Sequence, residues 1–503
     1  MGKTETFQDL SLTPSGQGDE LGHWLYTELR AAILDGRLKP GSRLPSTRNL
    51  SKQYDLARGT AAAAFDILRS EGYVEAVVGS GTFVATRLPD ESTPAPPAGV
   101  LDSAPASRAG LSIRGREAVR GIPLLPASHS LGRAFRSYEP AIDLFPVDLW
   151  SRVAGRVLRR APRSLYGQGD AKGYLPLRRA IAEYTGAARG VRCHADQVII
   201  TSGAQQGLDL VCRMLLDPGD AVWMEDPGYP GASFALRAAG ARITPVPVDR
   251  EGLIVREARR LEPHAKLAYV TPANQFPLGA VLSHQRRCER LEWAAAADAW
   301  IVEDEYDAEY RYSGKPLPSL QSLDRSGCVI YVGTFTKMLF NSLRLGFLVL
   351  PERLVDPFTA ARSFLDRHPP TLEQAVLAEF ILDGHFGHHV RRMRQTYGRR
   401  IGTLCDAAHD RLAGLIEVVR ADSGMRTIAW IRNGESDIEV ANRARSAGLE
   451  VAAVSAFTVR YAHPPALILG FAGCASAELK RGVGVMASVF DHRPAKSVAV
   501  ESH

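Results

Sequence analysis

The chain has 503 residues, room for about two to four domains, and its 45% hydrophobic and 23% charged content excludes a disordered or fibrous protein. The net charge of +6 is compatible with nucleic acid without requiring it. Six cysteines (193, 212, 288, 328, 405 and 474) lack Cys-x-x-Cys spacing, and no apolar leader or membrane-length run is present, so no disulfide frame, metal site or membrane partner is expected and a cytoplasmic protein is.

In chain order, Leu21, Leu25, Leu29 and Ile33 recur every fourth residue, which predicts a helix with one apolar face, ended by Gly36 and Pro40-Gly41. Ser46 is placed to N-cap a second helix running to about Tyr54. Residues 55–58 turn into a third helix, about 59–71, with Ala61, Phe65 and Leu68 on one face. Residues 72–78 alternate as a strand, and Gly79-Ser-Gly81 turns it back into residues 82–85. Three helices and a small hairpin make a winged helix-turn-helix. Its third helix would present Arg58 and Thr60 to the major groove, Arg48 sits early in the second helix, and Gly81 lies at the wing tip.

The strings Gly36-Arg-Leu-Lys-Pro-Gly-Ser-Arg-Leu-Pro-Ser-Thr-Arg-Asn-Leu50, Arg58-Gly-Thr60, Phe65-x-x-Leu-Arg-Ser-Glu-Gly-Tyr-Val74 and Gly79-Ser-Gly-Thr-Phe-Val84 resemble the DNA-binding domain of the GntR family. The resemblance implies a double-stranded DNA operator as partner, with Ser46, Arg48, Arg58, Thr60 and Gly81 as candidate contacts. Ala57 departs from it, standing where the family often has an N-capping serine. The domain is assigned to residues 20–88.

Residues 89–140 read as a linker. Pro89-Asp-Glu-Ser-Thr-Pro-Ala-Pro-Pro-Ala98 opens it, and Ala, Pro, Ser and Gly dominate to about Ser130. Arg108, Arg114, Arg116, Arg120, Arg133 and Arg136 make it basic. It is expected to be a flexible, solubilising spacer, with non-specific attraction to DNA as the alternative.

From 141 to 490, apolar runs beginning at Val198, Ala221, Leu267, Ala299, Val329 and Gly346 alternate with helical patterns, which predicts an α/β domain with a largely parallel sheet. Ser202, Asp226, Thr271, Asp304 and Thr334 stand at the C-terminal ends of such runs, where ligands bind in open α/β sheets. Lys337 lies just beyond. Residues 491–503 form a tail.

Together these segments resemble the fold-type I, pyridoxal 5'-phosphate-dependent aminotransferases. The motifs are Tyr166-Gly-Gln-Gly-Asp-Ala-Lys-Gly173, Thr201-Ser-Gly-Ala-Gln-Gln206, Glu225-Asp-Pro-Gly-Tyr-Pro-Gly231, Thr271-Pro-Ala-Asn-Gln-Phe-Pro-Leu-Gly279, Glu303-Asp-Glu-Tyr306 and Thr334-Phe-Thr-Lys337 with Arg344. The resemblance implies that Lys337 forms the Schiff base with the cofactor, so it is also the candidate catalytic residue. Gly203, Ala204 and Gln205 would hold the cofactor phosphate, with Thr334, Thr336 and Arg344. Tyr229 would stack on the pyridine ring, Asp304 would pair with its protonated nitrogen, and Asn274 and Tyr306 would bond its phenolic oxygen. Tyr166 would reach the phosphate in a neighbouring subunit.

One departure bears on turnover. Family enzymes acting on α-amino acids often carry Leu-Arg-Leu-Gly-Phe, whose arginine holds the substrate carboxylate; here the stretch is Leu467-Ile-Leu-Gly-Phe471. Arg426 is a candidate substitute, although an exposed strand position is the stronger expectation for it. A GntR module joined to an aminotransferase-like domain resembles the MocR subfamily of GntR regulators, which implies a head-to-tail homodimer. The function expected is a PLP-dependent transcriptional regulator that senses an amine, an amino acid or PLP itself through Lys337. The alternative is an active aminotransferase with an accessory DNA-binding module.

Overall fold

The computed structural model describes residues 20–77, 79–89, 110–120, 133–314 and 318–491. They fall into two compact units, divided between Ala109 and Gly110.

The small unit contains α1 (Glu20–Leu34), α2 (Thr47–Gln53), α3 (Arg58–Ser70), β1 (Val74–Val77) and β2 (Gly81–Val84). Leu25, Leu29 and Ile33 of α1 are fully buried against Leu50 of α2 and Phe65 and Leu68 of α3. The four-residue apolar spacing therefore does form one core-facing stripe. Ser46 Oγ accepts a hydrogen bond from Asn49 N at 3.2 Å and caps α2, while α3 starts at Ala57 with no side-chain cap. The wing is antiparallel, with Val74 opposite Val84 and Val77 opposite Gly81.

The large unit begins earlier than residue 141. Helix α4 (Ile113–Val119) lies within the expected linker and packs on a later helix, and residues 133–140 enter the core. Ala134 and Phe135 are buried, and the Phe135 carbonyl accepts from Gly470 N at 2.9 Å. Arg136, counted above as a linker cation, is half-buried and ion-paired with Glu450. Low apolar content hid these segments, because a few side chains anchor them. The rest of the linker, residues 90–109 with Arg108 and residues 121–132, lies outside the described residues, as does the tail from 492.

Next come α5 (Val147–Arg160), α6 (Leu175–Arg189), β3 (Val198–Thr201), α7 (Ala204–Leu215), β4 (Ala221–Asp226), α8 (Pro230–Ala239), β5 (Arg242–Asp249), β6 (Gly252–Leu253) and α9 (Val255–Leu261). Then follow β7 (Leu267–Val270), α10 (His284–Ala297), β8 (Trp300–Glu305), α11 (Leu320–Leu323), β9 (Val329–Thr334) and β10 (Gly346–Val349). These strands form one eight-stranded sheet ordered β3-β10-β9-β8-β7-β4-β5-β6. The pairs from β9 through β8, β7 and β4 to β5 are parallel; β10 is antiparallel to both β3 and β9, and β6 to β5. β3, β4, β7, β8 and β9 therefore end on the same side.

Helices α12 (Glu352–Leu365), α13 (Thr371–Leu382) and α14 (His385–Leu412) lead to a four-stranded antiparallel sheet. It is built from β11 (Ile416–Val418), β12 (Arg426–Ile431), β13 (Ala452–Ala453) and β14 (Ala466–Gly470), in the order β11-β12-β14-β13. Helices α15 (Asp437–Ser446) and α16 (Ser476–Asp491) complete the unit, α16 packing along α14. Among the described residues, no helix is long and apolar enough to cross a membrane.

Candidate functional site

Lys337 stands in the turn after β9. Its Nζ donates to the carbonyl oxygen of Tyr138 at 2.9 Å and to Asn341 Oδ1 at 3.4 Å. Burial, then the nearby Arg344 and Arg426 guanidinium groups, pull its ammonium down to about 8. A lysine held there is substantially neutral under mildly alkaline conditions, which is the state that attacks an aldehyde.

Asp304, near the end of β8, is 5% exposed. Its Oδ2 accepts from Tyr269 Oη at 2.7 Å, and its Oδ1 is buried without a partner. Burial raises its carboxyl to about 7, against the opposing hydrogen bond from Tyr269. Such an orphaned oxygen is costly unless a ligand donor meets it.

The turn from β3 into α7 forms an anion cradle. Gly203 takes φ +88°, and Ala204 and Gln205 open the helix, whose free N–H groups and dipole favour negative charge. A Cβ at Gly203 would lie 3.1 Å from Nη2 of Arg344, and that atom donates to Ser202 O at 3.3 Å. Gly346 lets β10 approach this turn: a Cβ there would meet Gly203 C at 2.8 Å and Ala204 N at 2.9 Å. Thr334 Oγ1 accepts from Thr336 N at 3.2 Å, and Thr336 Oγ1 is buried and unpartnered.

The aromatic wall is Tyr229, which N-caps α8 and donates from Oη to Gln205 Oε1 at 3.4 Å. Gln205 Nε2 in turn donates to Gly231 O at 2.8 Å. Tyr229 meets the ring of Phe276 edge to face, with centroids 5.6 Å apart. Asn274 Nδ2 donates to both oxygens of Asp307 at 2.9 Å, and Tyr306 Oη bonds to the carbonyl of Asn274.

The fold thus brings Gly203, Ala204, Gln205, Tyr229, Asn274, Asp304, Tyr306, Thr334, Thr336, Lys337 and Arg344 to one end of the sheet. Tyr166 stays outside, 61% exposed in the turn before α6. Two residues expected to line the crevice serve the framework instead. Asp226 is fully buried and accepts from the backbone N–H of Val459, Arg460 and Tyr461. Thr271 donates to Glu225 Oε2 at 2.7 Å.

Arg426 corrects the expectation of an exposed strand residue. It is 5% exposed, and its guanidinium carbon lies 4.8, 5.1 and 5.5 Å from the ring centroids of Phe276, Tyr306 and Tyr138. Nη2 bonds to Tyr306 Oη, while Nε is buried and unpartnered. Burial opposes its charge, but Tyr306, Tyr138 and Asp307 more than offset that and hold it protonated. Ile468, by contrast, is sealed in an apolar cluster with Ile428, Val454 and Ala466.

Sequence reasoning missed Tyr138, Tyr269, Asp307 and Phe276. Tyr269 sat inside an apolar strand run and Tyr138 inside an expected linker, and no local pattern marked either. Asp307 was visible in the acidic, aromatic stretch after β8.

In the small unit, Ser46, Arg48, Arg58 and Gly81 are exposed, and the wing tip at Gly81 takes φ +115°. Thr60 differs: it is half-buried, and a Cβ at Gly22 of α1 would lie 3.3 Å from its methyl carbon. Ser46 is committed to capping α2.

Comparison with known proteins agrees with both units. Residues 23–84 match the family described as bacterial regulatory proteins, gntR family, and residues 146–486 match aminotransferase class I and II. The chain is 39% identical over 469 residues to the probable rhizopine catabolism regulatory protein MocR of Rhizobium meliloti, covering 93% of each chain. It is 36% identical to the HTH-type transcriptional regulator TauR of Rhodobacter capsulatus, covering 79% of this chain and 81% of that one. Among solved structures, LysN from Thermus thermophilus, an α-aminoadipate aminotransferase complexed with N-(5'-phosphopyridoxyl)-L-leucine, superposes with a TM-score of 0.66. It is 26% identical, over 76% of this chain and 95% of that one.

Proposed function

The chain belongs to the MocR-type transcriptional regulators of the GntR family, and we propose that its large unit senses a small amine, an amino acid or pyridoxal 5'-phosphate itself through Lys337, on behalf of the DNA-binding unit. The single observation that carries this reading is the pair of buried, unpartnered oxygens at the same end of the sheet as the lysine, Asp304 Oδ1 at the end of β8 and Thr336 Oγ1 in the turn after β9. A carboxylate oxygen suits a protonated ring nitrogen, and a hydroxyl suits a phosphate, so the residues present fit that cofactor.

The backbone N–H groups of Gly203, Ala204 and Gln205, the Thr336 hydroxyl and the Arg344 guanidinium would take the phosphate. Tyr229 would lie on the ring. Asn274 would add a bond to the phenolic oxygen beside those it already makes, and Tyr306 would redirect to that oxygen the one hydroxyl proton it now donates to the Asn274 carbonyl. When bound, the cofactor supplies an aldehyde that exchanges between primary amines. The chain supplies the rest: Lys337 offers a neutral amine, Tyr269 fixes the Asp304 carboxylate, and Phe276 and Tyr229 exclude water. An effector acts by binding two states of the large unit with different affinity. The exposure of Tyr166 supports a head-to-tail homodimer, in which that tyrosine serves the partner's site.

The test uses the cofactor-loaded protein. It should bind DNA from its own promoter region, show a visible absorbance band lost in Lys337→Ala, and change both band and DNA affinity with an amine. Steady amino transfer with a panel of donors would establish the enzyme reading instead, and failure to bind that DNA would overturn regulation.

A further inference from the structure

Gln206 follows the cradle residue Gln205 in α7, and the cofactor reading gives it no task. Its amide joins two partners. Oε1 accepts from the backbone N–H of Ser202 at 2.6 Å, and Nε2 donates to Asp366 Oδ2 at 2.5 Å. Asp366 stands at the C-terminal cap of α12, a helix that packs on α7. Its other oxygen, Oδ1, lies 3.0 Å from Nη1 of Arg362, one turn back in α12.

Arg362 gives this chain of bonds its direction. The guanidinium is fully buried, and its Nε and Nη2 have no hydrogen-bond partner among the described residues. Burial works against its charge, and Asp366 supports it. A buried cation is costly without its counter-charge, so Asp366 is held in place. The backbone adds to this hold. His368 N donates to the Asp366 carbonyl at 2.8 Å, and His368 Nε2 accepts from Gly169 N at 3.1 Å. A carboxylate only accepts hydrogen bonds, so Gln206 must turn its NH2 to Asp366 and its oxygen to Ser202.

Ser202 is thereby pinned from both sides. Its N–H goes to Gln206, and its carbonyl accepts from Nη2 of Arg344 at 3.3 Å. Gly203 takes φ +88° directly after it, and the N–H groups left for an anion are those of Gly203, Ala204 and Gln205. The geometry of the cradle thus depends on side chains that do not face the anion.

We propose that Gln206 is the positioning residue of the phosphate cradle, oriented by Asp366 and Arg362, so that a relay from α12 sets how tightly the site holds a phosphate. This rests on the cofactor reading above and deepens it. Orientation differs from packing in what Asp366→Asn does. That change keeps the shape, but Arg362 only donates, so the new amide turns its oxygen to Arg362 and its NH2 to Gln206. Gln206 then turns over and sets a donor against the Ser202 N–H. Gln206→Glu alone puts two carboxylates together. With both substitutions the relay closes again, because the carboxylate at 206 accepts from the Ser202 N–H and from the amide at 366.

The test measures equilibrium binding of pyridoxal 5'-phosphate and of pyridoxal to the cofactor-free, full-length protein by visible absorbance. Gln206→Met and Asp366→Asn should each weaken pyridoxal phosphate binding about tenfold and leave pyridoxal nearly unchanged, which also shows that the variants fold. In the Gln206→Glu background, Asp366→Asn should instead strengthen pyridoxal phosphate binding. Equal losses for the two ligands, no loss in either single variant, or the same sign for Asp366→Asn in both backgrounds overturns the relay and leaves the cofactor reading standing. No uptake of pyridoxal phosphate by the wild type overturns the cofactor reading and this proposal with it.

Discussion

Lys337 and Tyr138, 199 residues apart in the chain, meet through a hydrogen bond of 2.9 Å from the lysine Nζ to the tyrosine carbonyl oxygen. The contact joins the turn after a central strand to a segment whose composition resembles a linker. It also fixes which groups govern the lysine's proton: Arg344 and Arg426 push it off, while Asp307 and Glu139 hold it on, and burial outweighs each of them.

The lysine therefore titrates early. The rate at which the cofactor-free protein takes up pyridoxal phosphate should rise with pH through about 8 and level off above it. Removing one cation in Arg426→Gln should move that midpoint upward. For stability, the unfolded chain holds this proton up to about 10.5 and the folded one only to about 8, so Lys337 costs stability below pH 8 and the cost fades as pH rises across that window. A pH series of uptake rates and of thermal unfolding, for wild type and Lys337→Ala, checks both.

Asp304 sets the opposite sign. Its folded carboxyl titrates near 7 against an ordinary 3.8, so the cofactor-free protein loses stability from this group as pH rises between those values. Glu303, Asp307 and Glu309, raised to about 7, 6 and 7, act the same way. Asp304→Asn should raise the Tm of the cofactor-free protein at pH 7 and flatten part of its pH dependence. The same change should weaken cofactor binding about ten- to a hundredfold, because an amide cannot pair with a protonated ring nitrogen as a carboxylate does. Calorimetry with and without cofactor separates the two effects.

Gly203 holds a positive φ at the anion cradle, and a side chain there would press on Arg344. Gly203→Ala should cost about 1 kcal/mol or more in backbone strain and weaken pyridoxal phosphate binding. Pyridoxal without its phosphate should bind the variant and wild type nearly alike. Equal losses for both would place the damage outside the phosphate cradle.

Two exposed residues of the small unit should behave differently although they lie close in sequence. Ser46→Ala removes the cap of α2 and should lower the unit's stability by about 1 kcal/mol. Arg58 has no capping duty at the start of α3, so Arg58→Ala should leave stability nearly unchanged and weaken DNA binding. If it contacts a phosphate, the slope of log affinity against log salt falls by about 1. Denaturation curves and fluorescence anisotropy at several salt concentrations read both outcomes.

Most of the elements and much of the site were legible before any fold was known. Leu21 to Ile33 at helical spacing, and the apolar runs at Val198, Ala221, Leu267 and Val329, encode local structure in hydrophobic period, which needs no partner to be read. Motifs such as Thr334-Phe-Thr-Lys337 were legible because a cradle and its lysine sit on one turn. What Tyr138, Tyr269, Asp226 and Arg426 do emerged only with packing. Tyr138 and Lys337 share no local signal, and the strand position of Arg426 does not reveal which face of β12 points inward. Asp226 ended its strand as a ligand residue would, yet it accepts three N–H groups from residues 459–461. Burial and pairing across long separations are properties of the packed chain. They turn an apparent surface arginine into a desolvated cation and an apparent linker tyrosine into part of the pocket.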